Sequence, residues 1–177
     1  MPTPSLVVID VQREYVTPGR PYCIRGIDPS LANARVVLAF ARNNHWEIIH
    51  VRHLQDGDLF GKTSPYSDYA EGFEPQRGEM EITKNNYSCY SSDDFARLMH
   101  ERKERPVYVI GYGSTKCCLA TIVEGHHRGQ KMLFVADASN AKRSERFDED
   151  ALHKHATDIL SSFSTVVSTQ EVVAGHC

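Results

Sequence analysis

Three side chains that can do chemistry follow short apolar runs of this sequence. Asp10 and His53 each come after such a run, and the turn 111–117, which ends in Cys117, comes after a third. A carboxylate, an imidazole and a thiol are groups that proteins use for proton transfer and nucleophilic attack. Two glycines in the turn permit a strained backbone there. The sequence therefore predicts a reactive site at the ends of these runs.

Two adjacent cysteines compete for the role of nucleophile. Both Cys117 and Cys118 would lie in the first turn of a helix, where unpaired N–H groups and the helix dipole stabilise a thiolate. The apolar stripe of that helix is formed by Leu119, Ile122 and Val123. At helical spacing Cys118 flanks the stripe and Cys117 points nearly opposite it. We predict that Cys118 packs in the core and that Cys117 does chemistry; an inert buried thiol is the alternative.

The elements that position these groups follow a strand–helix alternation. Continuous β-branched runs at 6–11, 47–51, 107–110 and 132–135, with a weaker one at 164–167, predict buried parallel strands. Helical patterns follow Asp28, Ser92 and Gly113, and another covers about 145–160. Together they predict a three-layer α/β/α fold, with a doubly wound, mostly parallel, Rossmann-like sheet. In such a sheet ligands bind beyond the carboxyl ends of the strands.

Length and composition limit the classes of protein. The chain has 177 residues, 41% of them apolar, and a net charge of −3, which suits one domain over residues 1–177. The sequence lacks the long run of Lys and Arg that would favour a nucleic-acid partner. Its longest apolar stretch, 36–41, is too short for a membrane span. Five cysteines, an odd number, and an N-terminus without a targeting pattern predict reduced thiols in a cytoplasmic protein.

Three motifs occur in an order that makes the sequence recognisable. The first is the apolar run that ends in Asp10-Val11-Gln12, and the second is Lys84 within 82–90. The third is Gly111 with Cys117 six residues on, followed by Ala120-Thr121, Gly129 and Asp137-Ala138. Over about residues 6–172 the chain resembles the isochorismatase-like cysteine hydrolase superfamily. That superfamily includes nicotinamidases, carbamoylsarcosine-type amidohydrolases, and ureido and biuret hydrolases.

The resemblance implies a mechanism as well as a fold. It assigns Cys117, Asp10 and Lys84 to a catalytic triad, in which the ammonium favours the thiolate and the carboxylate moves the proton. It also implies a cis peptide bond before Gly113 and an oxyanion hole made by the backbone N–H groups of Gly113 and Cys117. Tyr15 and Tyr112 are candidates for an aromatic pocket wall, although both could be ordinary packing residues. We expect the loops at 15–24 and 66–74 to supply most of the pocket lining.

Departures from the family pattern bear on the ligand. Lys116 stands beside the nucleophile, where it either lines the pocket and favours a substrate with a carboxylate, or faces solvent. The Asp-x-His metal motif of nicotinamidases lacks its aspartate here, and His50 and His53 lie three apart on a strand and so face opposite sides. We therefore expect no metal and no other cofactor. The remaining paired histidines, including His153, are expected on the surfaces or the amphipathic faces of helices.

The function predicted from these observations is hydrolysis by a cysteine. The substrate would be a small amide, carbamoyl or ureido compound, cleaved at a C–N bond through a thioester. One alternative is an isochorismatase that cleaves a vinyl ether, and another is a catalytically silent binding module of the same fold. We expect a small-molecule substrate, no nucleic-acid or membrane partner, and a homo-oligomer.

Overall fold

A six-stranded sheet forms the centre of the computed structural model, which describes residues 2–175. Its strands are β1 (Ser5–Ile9), β2 (Glu47–His53), β3 (Met80–Lys84), β4 (Val107–Tyr112), β5 (Met132–Asn140) and β6 (Thr165–Val167). They are arranged in the order β3-β2-β1-β4-β5-β6, and every pair of neighbours is parallel. The predicted doubly wound sheet is confirmed, and its chain order reverses between β1 and β4.

Helices cover both faces of the sheet. They are α1 (Arg13–Val16), α2 (Asp28–Asn43), α3 (Asp93–Glu101), α4 (Leu119–His127), α5 (Glu149–Leu160) and α6 (Thr169–Ala174). Alternate residues of each strand face opposite layers, because successive side chains of a strand point to opposite sides. In β1, Leu6 packs with α2 and α6, whereas Val7 packs with α3, α4 and α5. The three-layer prediction is therefore confirmed.

The sequence did not predict β3, and it misplaced the ends of other strands. In β3 the buried side chains are those of Ile82 and Lys84, and Glu81 and Thr83, which alternate with them, are exposed. One apolar and one charged inward residue leave no continuous apolar run, so the strand resembled a polar loop. β2 extends to His53, two residues further than predicted. β1 ends at Ile9, and Asp10 follows it with a left-handed φ of 53°.

The connection from β4 to α4 is unusually tight. Gly111 has a φ of 132°, and a Cβ there would lie 1.9 Å from the carbonyl oxygen of Ile9 on the neighbouring strand. Only glycine permits that approach. The peptide bond between Tyr112 and Gly113 is cis, and a π-helical turn, Ser114–Cys118, then leads into α4. This turn follows β4 at the point where the strand order reverses.

The length and the apolarity of a helix decide whether it can cross a membrane. Among residues 2–175 no helix is both long enough and apolar enough to cross a bilayer. Cys177, one of the five cysteines counted above, lies outside the described residues.

Candidate active site

Four neighbouring strands deliver four polar side chains to one buried point. Asp10 follows β1, His53 ends β2, Lys84 ends β3, and Cys117 lies in the turn after β4. The Nζ atom of Lys84 lies 2.8 Å from Oδ2 of Asp10, 3.3 Å from Nδ1 of His53 and 3.4 Å from Sγ of Cys117. All four residues are at most 9% exposed. The structure thus brings together the three residues that the resemblance places in a triad, with a histidine added.

Asp10 has one oxygen engaged and one open. Its Oδ2 accepts a hydrogen bond from Lys84, and its Oδ1 is buried without a hydrogen-bond partner among the described residues. The backbone N–H of Asp10 donates to the carbonyl of Val51, which ties the residue to the end of β2. A buried carboxylate oxygen without a donor is unusual. It offers an acceptor for a proton that arrives from another group in the site.

The electrostatics of the site differ from the expectation for Cys117. Burial raises the pKa of the Cys117 thiol well above its ordinary value, and the negative charge of Asp10 adds to the increase, although Lys84 opposes it. The direction of this shift is opposite to the one expected from the helix N-terminus alone. Burial alone would lower the pKa of Lys84, but the negative charge of Asp10 and its hydrogen bond to the ammonium outweigh burial and raise that pKa. The site thus favours the ammonium form of Lys84 beside a thiol whose pKa is raised.

The two cysteines occupy different positions, as predicted. Cys118 is fully buried in the core beneath α4, whereas Cys117 lines a cavity. The carbonyl of Gly113 accepts hydrogen bonds from the backbone N–H groups of Lys116 and Cys118, which holds the turn closed around Cys117. This carbonyl therefore helps to fix the position of Cys117 relative to Lys84.

Behind the same turn, a histidine contacts the site unexpectedly. Nδ1 of His153 lies 2.9 Å from Oγ of the fully buried Ser114. Burial lowers the pKa of His153, so the ring is held neutral against the turn. His153 is half-buried on the amphipathic face of α5, which packs directly over the π-helical turn. Helical periodicity does not reveal which neighbour a half-buried face meets.

Gln12 holds the β2 end of the site in place. Its side-chain amide donates to the carbonyls of His53, at 3.1 Å, and of Ser67, at 2.7 Å. Its Oε1 accepts the backbone N–H of His53 at 2.9 Å. The glutamine of the Asp-x-Gln motif thus joins β1 to β2 and to the loop that follows β2. The sequence marked Gln12 as part of a motif but assigned it no role.

A cavity of about 280 Å³ opens onto Cys117. It is lined by Tyr15, Tyr22, His53, Gln55, Phe60, Asn85, Asn86, Tyr87, Lys116 and Cys117. Tyr15 thus lines the cavity as predicted, and Lys116 lines it with a side chain that is also exposed to solvent. Tyr112 does not line the cavity: it is fully buried beneath Tyr15, with ring centroids 5.8 Å apart, and its hydroxyl contacts Ser30.

The cavity lining corrects the expected loops. Residues 15–24 contribute Tyr15 and Tyr22, as predicted, but no residue of 66–74 is part of the lining. The segment 53–60 and the residues after β3 take that place. The position of Lys84 in the sequence was the available signal for Asn85, Asn86 and Tyr87, because residues directly after a strand that carries a site residue surround that site.

The donor atoms of the site raise the question of a metal. Asp10, His53 and Cys117 each place one donor atom within 4.8 Å of the others, a spacing that suits a metal ion. Nζ of Lys84, however, already contacts all three residues. A metal ion at this point would have to displace the ammonium. The donor set therefore fits the protein's own cation and not a resident metal.

A parallel, doubly wound sheet with reactive groups at its switch point defines an α/β enzyme. The chain matches the Isochorismatase domain over residues 4–171 and therefore belongs to the isochorismatase family of hydrolases. The resemblance noted from the sequence motifs is confirmed by this match.

Individual relatives are similar over nearly the whole chain. Maleamate amidohydrolase of Pseudomonas putida is 24% identical over 186 residues, which cover 96% of this chain and 85% of that protein. Ureidoacrylate amidohydrolase RutB of Pseudomonas syringae is 23% identical, with 92% of this chain and 84% of that protein covered. The crystal structure of an isochorismatase from Pseudomonas putida KT2440 superimposes with a TM-score of 0.86 at 26% identity, covering 97% and 93% of the two chains.

Proposed function

We propose that this protein hydrolyses a C–N bond of a small amide, carbamoyl or ureido compound, with Cys117 as the nucleophile. One observation carries the proposal: the ammonium of Lys84 lies between Asp10, at 2.8 Å, and Cys117, at 3.4 Å, beside a cavity that Cys117 lines. A cation beside a thiol stabilises the thiolate, and a neighbouring carboxylate can accept the thiol proton, so the arrangement supports nucleophilic catalysis by cysteine.

Acylation begins with transfer of the thiol proton from Cys117 to Asp10. The thiolate is stabilised by Lys84 and attacks the substrate's carbonyl carbon, so that a C–S bond forms and the carbonyl oxygen becomes an oxyanion. The backbone N–H groups of Gly113 and Cys117 are the donors that we assign to this oxyanion. Asp10 then gives its proton to the substrate nitrogen, the C–N bond breaks, and ammonia or an amine leaves.

Deacylation repeats the proton transfers with water. Asp10 removes a proton from a water molecule, which attacks the carbonyl carbon of the thioester. The C–S bond breaks, an acid is released, and the proton returns to Sγ of Cys117. Because the resting thiol is neutral and Asp10 is paired with Lys84, each cycle starts and ends with the same charges. This balance agrees with the raised pKa of the Cys117 thiol.

The size and charge of the cavity support a small anionic substrate. A volume of about 280 Å³ accommodates a compound of a few heavy atoms rather than a polymer. The ammonium groups of Lys116 and Lys142 lie 5.3 and 4.7 Å from the ring centroid of Tyr22, which lines the cavity. Neither lysine forms an ion pair with a carboxylate in the part of the chain that the structure describes. A carboxylate on the substrate would supply that missing charge.

The names of the relatives agree with this substrate class. Maleamate and ureidoacrylate, the compounds in those names, each combine a carboxylate with an amide or ureido group. We propose the same combination for the substrate of this protein, without choosing between an amide and a ureido group.

Ammonia release from matched compounds tests the proposal. Short-chain amides and ureido compounds are offered in pairs, one member with a carboxylate and the other with that carboxylate esterified. We expect the native protein to release ammonia, and Cys117→Ala to abolish the release. Cys118→Ala is the matched control, because it removes a neighbouring thiol that lies in the core and away from the cavity. Ammonia release by the Cys117→Ala variant would show that Cys117 is not the nucleophile.

The charge preference is tested separately with Lys116→Met. We expect KM to rise roughly 10-fold or more for the carboxylate compounds, since a charge-assisted hydrogen bond contributes about 1.5–3 kcal/mol, and to change little for the esters. Lys154→Met, at an exposed lysine of α5, is the control. An equal effect of Lys116→Met on both members of a pair would contradict the assignment. No release from any compound would favour vinyl ether cleavage or a silent module.

A further inference from the structure

We propose that His53 is a positioning residue that orients the ammonium of Lys84 toward the nucleophile. The proposal rests on the function proposed above, because orientation of Lys84 matters only if Cys117 reacts. The position of His53 after an apolar run makes it a candidate site residue, but that position alone does not assign it a function. The structure supplies one through the contact between Nδ1 of His53 and Nζ of Lys84, at 3.3 Å.

The ammonium of Lys84 uses its full hydrogen-bonding capacity in this site. A lysine ammonium has three N–H donors and no acceptor. Nζ of Lys84 has three neighbours within hydrogen-bond distance: Asp10, His53 and Cys117. Each donor therefore has one acceptor, and the rotation of the ammonium about its C–N bond is fixed. His53 supplies the third acceptor, so that the other two donors face the carboxylate and the thiol.

The second step concerns the protonation of the imidazole ring. Because Nδ1 accepts a hydrogen bond from Lys84, it carries no proton. Nε2 lies 3.1 Å from Oε1 of Gln55, an acceptor, so it carries the ring proton and donates there. Both nitrogens are thus satisfied by a neutral ring of one tautomer. The ring also packs edge-on against Phe60, with centroids 5.3 Å apart.

A neutral hydrogen-bond acceptor suits the position of His53 better than a charged side chain would. A carboxylate at the same place would compete with the thiolate for the positive charge of Lys84. A cationic side chain would repel the ammonium from the site. A neutral imidazole holds one N–H and leaves the charge to Asp10 and Cys117. What His53 provides is therefore direction, while Asp10 and Lys84 provide charge.

Reactivity of the Cys117 thiol tests this role without any substrate. The rate of alkylation of Cys117 by iodoacetamide is measured against pH, with the modified peptide quantified by mass spectrometry. The titratable groups that face Sγ are Asp10, Lys84, His53, Tyr15 and Cys118. The proposal concerns only the change in this profile when the acceptor at residue 53 is altered.

Three variants separate orientation from folding. His53→Leu removes the acceptor, and His53→Asn keeps an amide oxygen near the position of Nδ1. His50→Asn is the matched control, since His50 is also a buried histidine of β2 but contacts Glu79 on the other side of the strand. We expect His53→Leu to move the alkylation profile up by about one pH unit, because a misdirected ammonium stabilises the thiolate less. His53→Asn and His50→Asn are expected to leave the profile in place.

Kinetics on a substrate found by the ammonia assay give the second readout. We expect His53→Leu to lower kcat roughly 10- to 100-fold with little change in KM, and His53→Asn to recover most of the loss. If His53→Leu does not fold, His53→Gln, whose longer side chain reaches Gln55 in preference to Lys84, replaces it. The proposal is overturned if Leu and Asn at residue 53 give the same profile and the same kcat. Failure of the proposed function would appear differently, as no Cys117-dependent turnover by the native protein.

Discussion

The buried pair of Asp10 and Lys84 allows a quantitative test by a double-mutant cycle. The substitutions are Lys84→Met, which keeps the length of the side chain, and Asp10→Asn, which keeps its shape. Both side chains are fully buried, and their charged atoms lie 2.8 Å apart. Each single substitution leaves an unpaired charge in the interior, whereas the double variant leaves none.

The magnitude follows from this geometry. At 2.8 Å and an effective dielectric constant of about 20, the attraction between the two charges is about 6 kcal/mol. Desolvation of two ions offsets most of this attraction, so the intact pair contributes little net stability. Removing one partner of such a pair costs about 3–5 kcal/mol, because the other charge stays buried. We therefore expect each single variant to lose about that amount and the double variant to lose clearly less than the sum.

Catalysis responds differently from stability in the same cycle. At 3.4 Å the ammonium of Lys84 stabilises a thiolate at Cys117 by about 5 kcal/mol at the same dielectric constant, equivalent to roughly 10³- to 10⁴-fold in rate. All three variants should lose activity, including the double variant that regains stability.

Urea denaturation at pH 7.5 measures the free energies of unfolding, and ammonia release measures activity. Additive losses of stability, with a coupling energy below about 0.5 kcal/mol, would refute the claim that the two charges form a buried pair. An active double variant would refute the assignment of Asp10 and Lys84 to catalysis.

Two further predictions concern the framework of the fold. Gly111→Ala should destabilise the protein by more than about 3 kcal/mol, because the new Cβ would lie 1.9 Å from the carbonyl oxygen of Ile9 and the backbone is left-handed. Gly19→Ala is the control, because Gly19 has a φ of 84° but open space around a Cβ. Equal losses in the free energy of unfolding would contradict the clash at Gly111. Burial would raise the pKa of Glu79, but hydrogen bonds from Arg42, a backbone N–H and His50 outweigh it and lower that pKa to about 2 from 4.5. As the pH falls, Glu79 takes up a proton in the unfolded chain before it does so in the folded protein. The contribution of ionised Glu79 to the free energy of unfolding is therefore present above pH 4.5 and is lost as the pH falls toward 2. Melting temperatures between pH 2 and 6 should therefore fall less steeply for Glu79→Gln, and parallel curves would contradict the assignment.

Much of the fold could be predicted because its signals are local. Five of the six strands consist of apolar, β-branched runs, and continuous runs indicate strands covered on both faces. The sixth strand, β3, lies at the edge of the sheet and alternates buried with exposed residues. Such a segment is recognised as a strand only when its partner β2 is known. The predicted homo-oligomer and the cytoplasmic location stay predictions.

The site was predictable to the extent that its residues follow strands. Asp10 and Cys117 follow β1 and β4, whose carboxyl ends meet at the switch point. Lys84 entered through the family resemblance alone, since it belongs to the strand that the pattern did not show. The sequence did not place Tyr112 correctly, because the local backbone conformation decides whether a side chain beside a site points into the cavity or into the core. Periodicity does not give that conformation in an irregular turn.

The sequence by itself determined the class of fold and predicted the turn that carries Cys117, because strand runs, glycines and the helix stripe are short-range features. Tertiary structure decided the rest. Lys84 meets Asp10 across 74 residues of chain, and His53 meets Lys84 across 31. It also decided that burial raises the pKa of the Cys117 thiol. Charges and hydrogen bonds at a buried point depend on every group that the fold brings there, and no local pattern contains that sum.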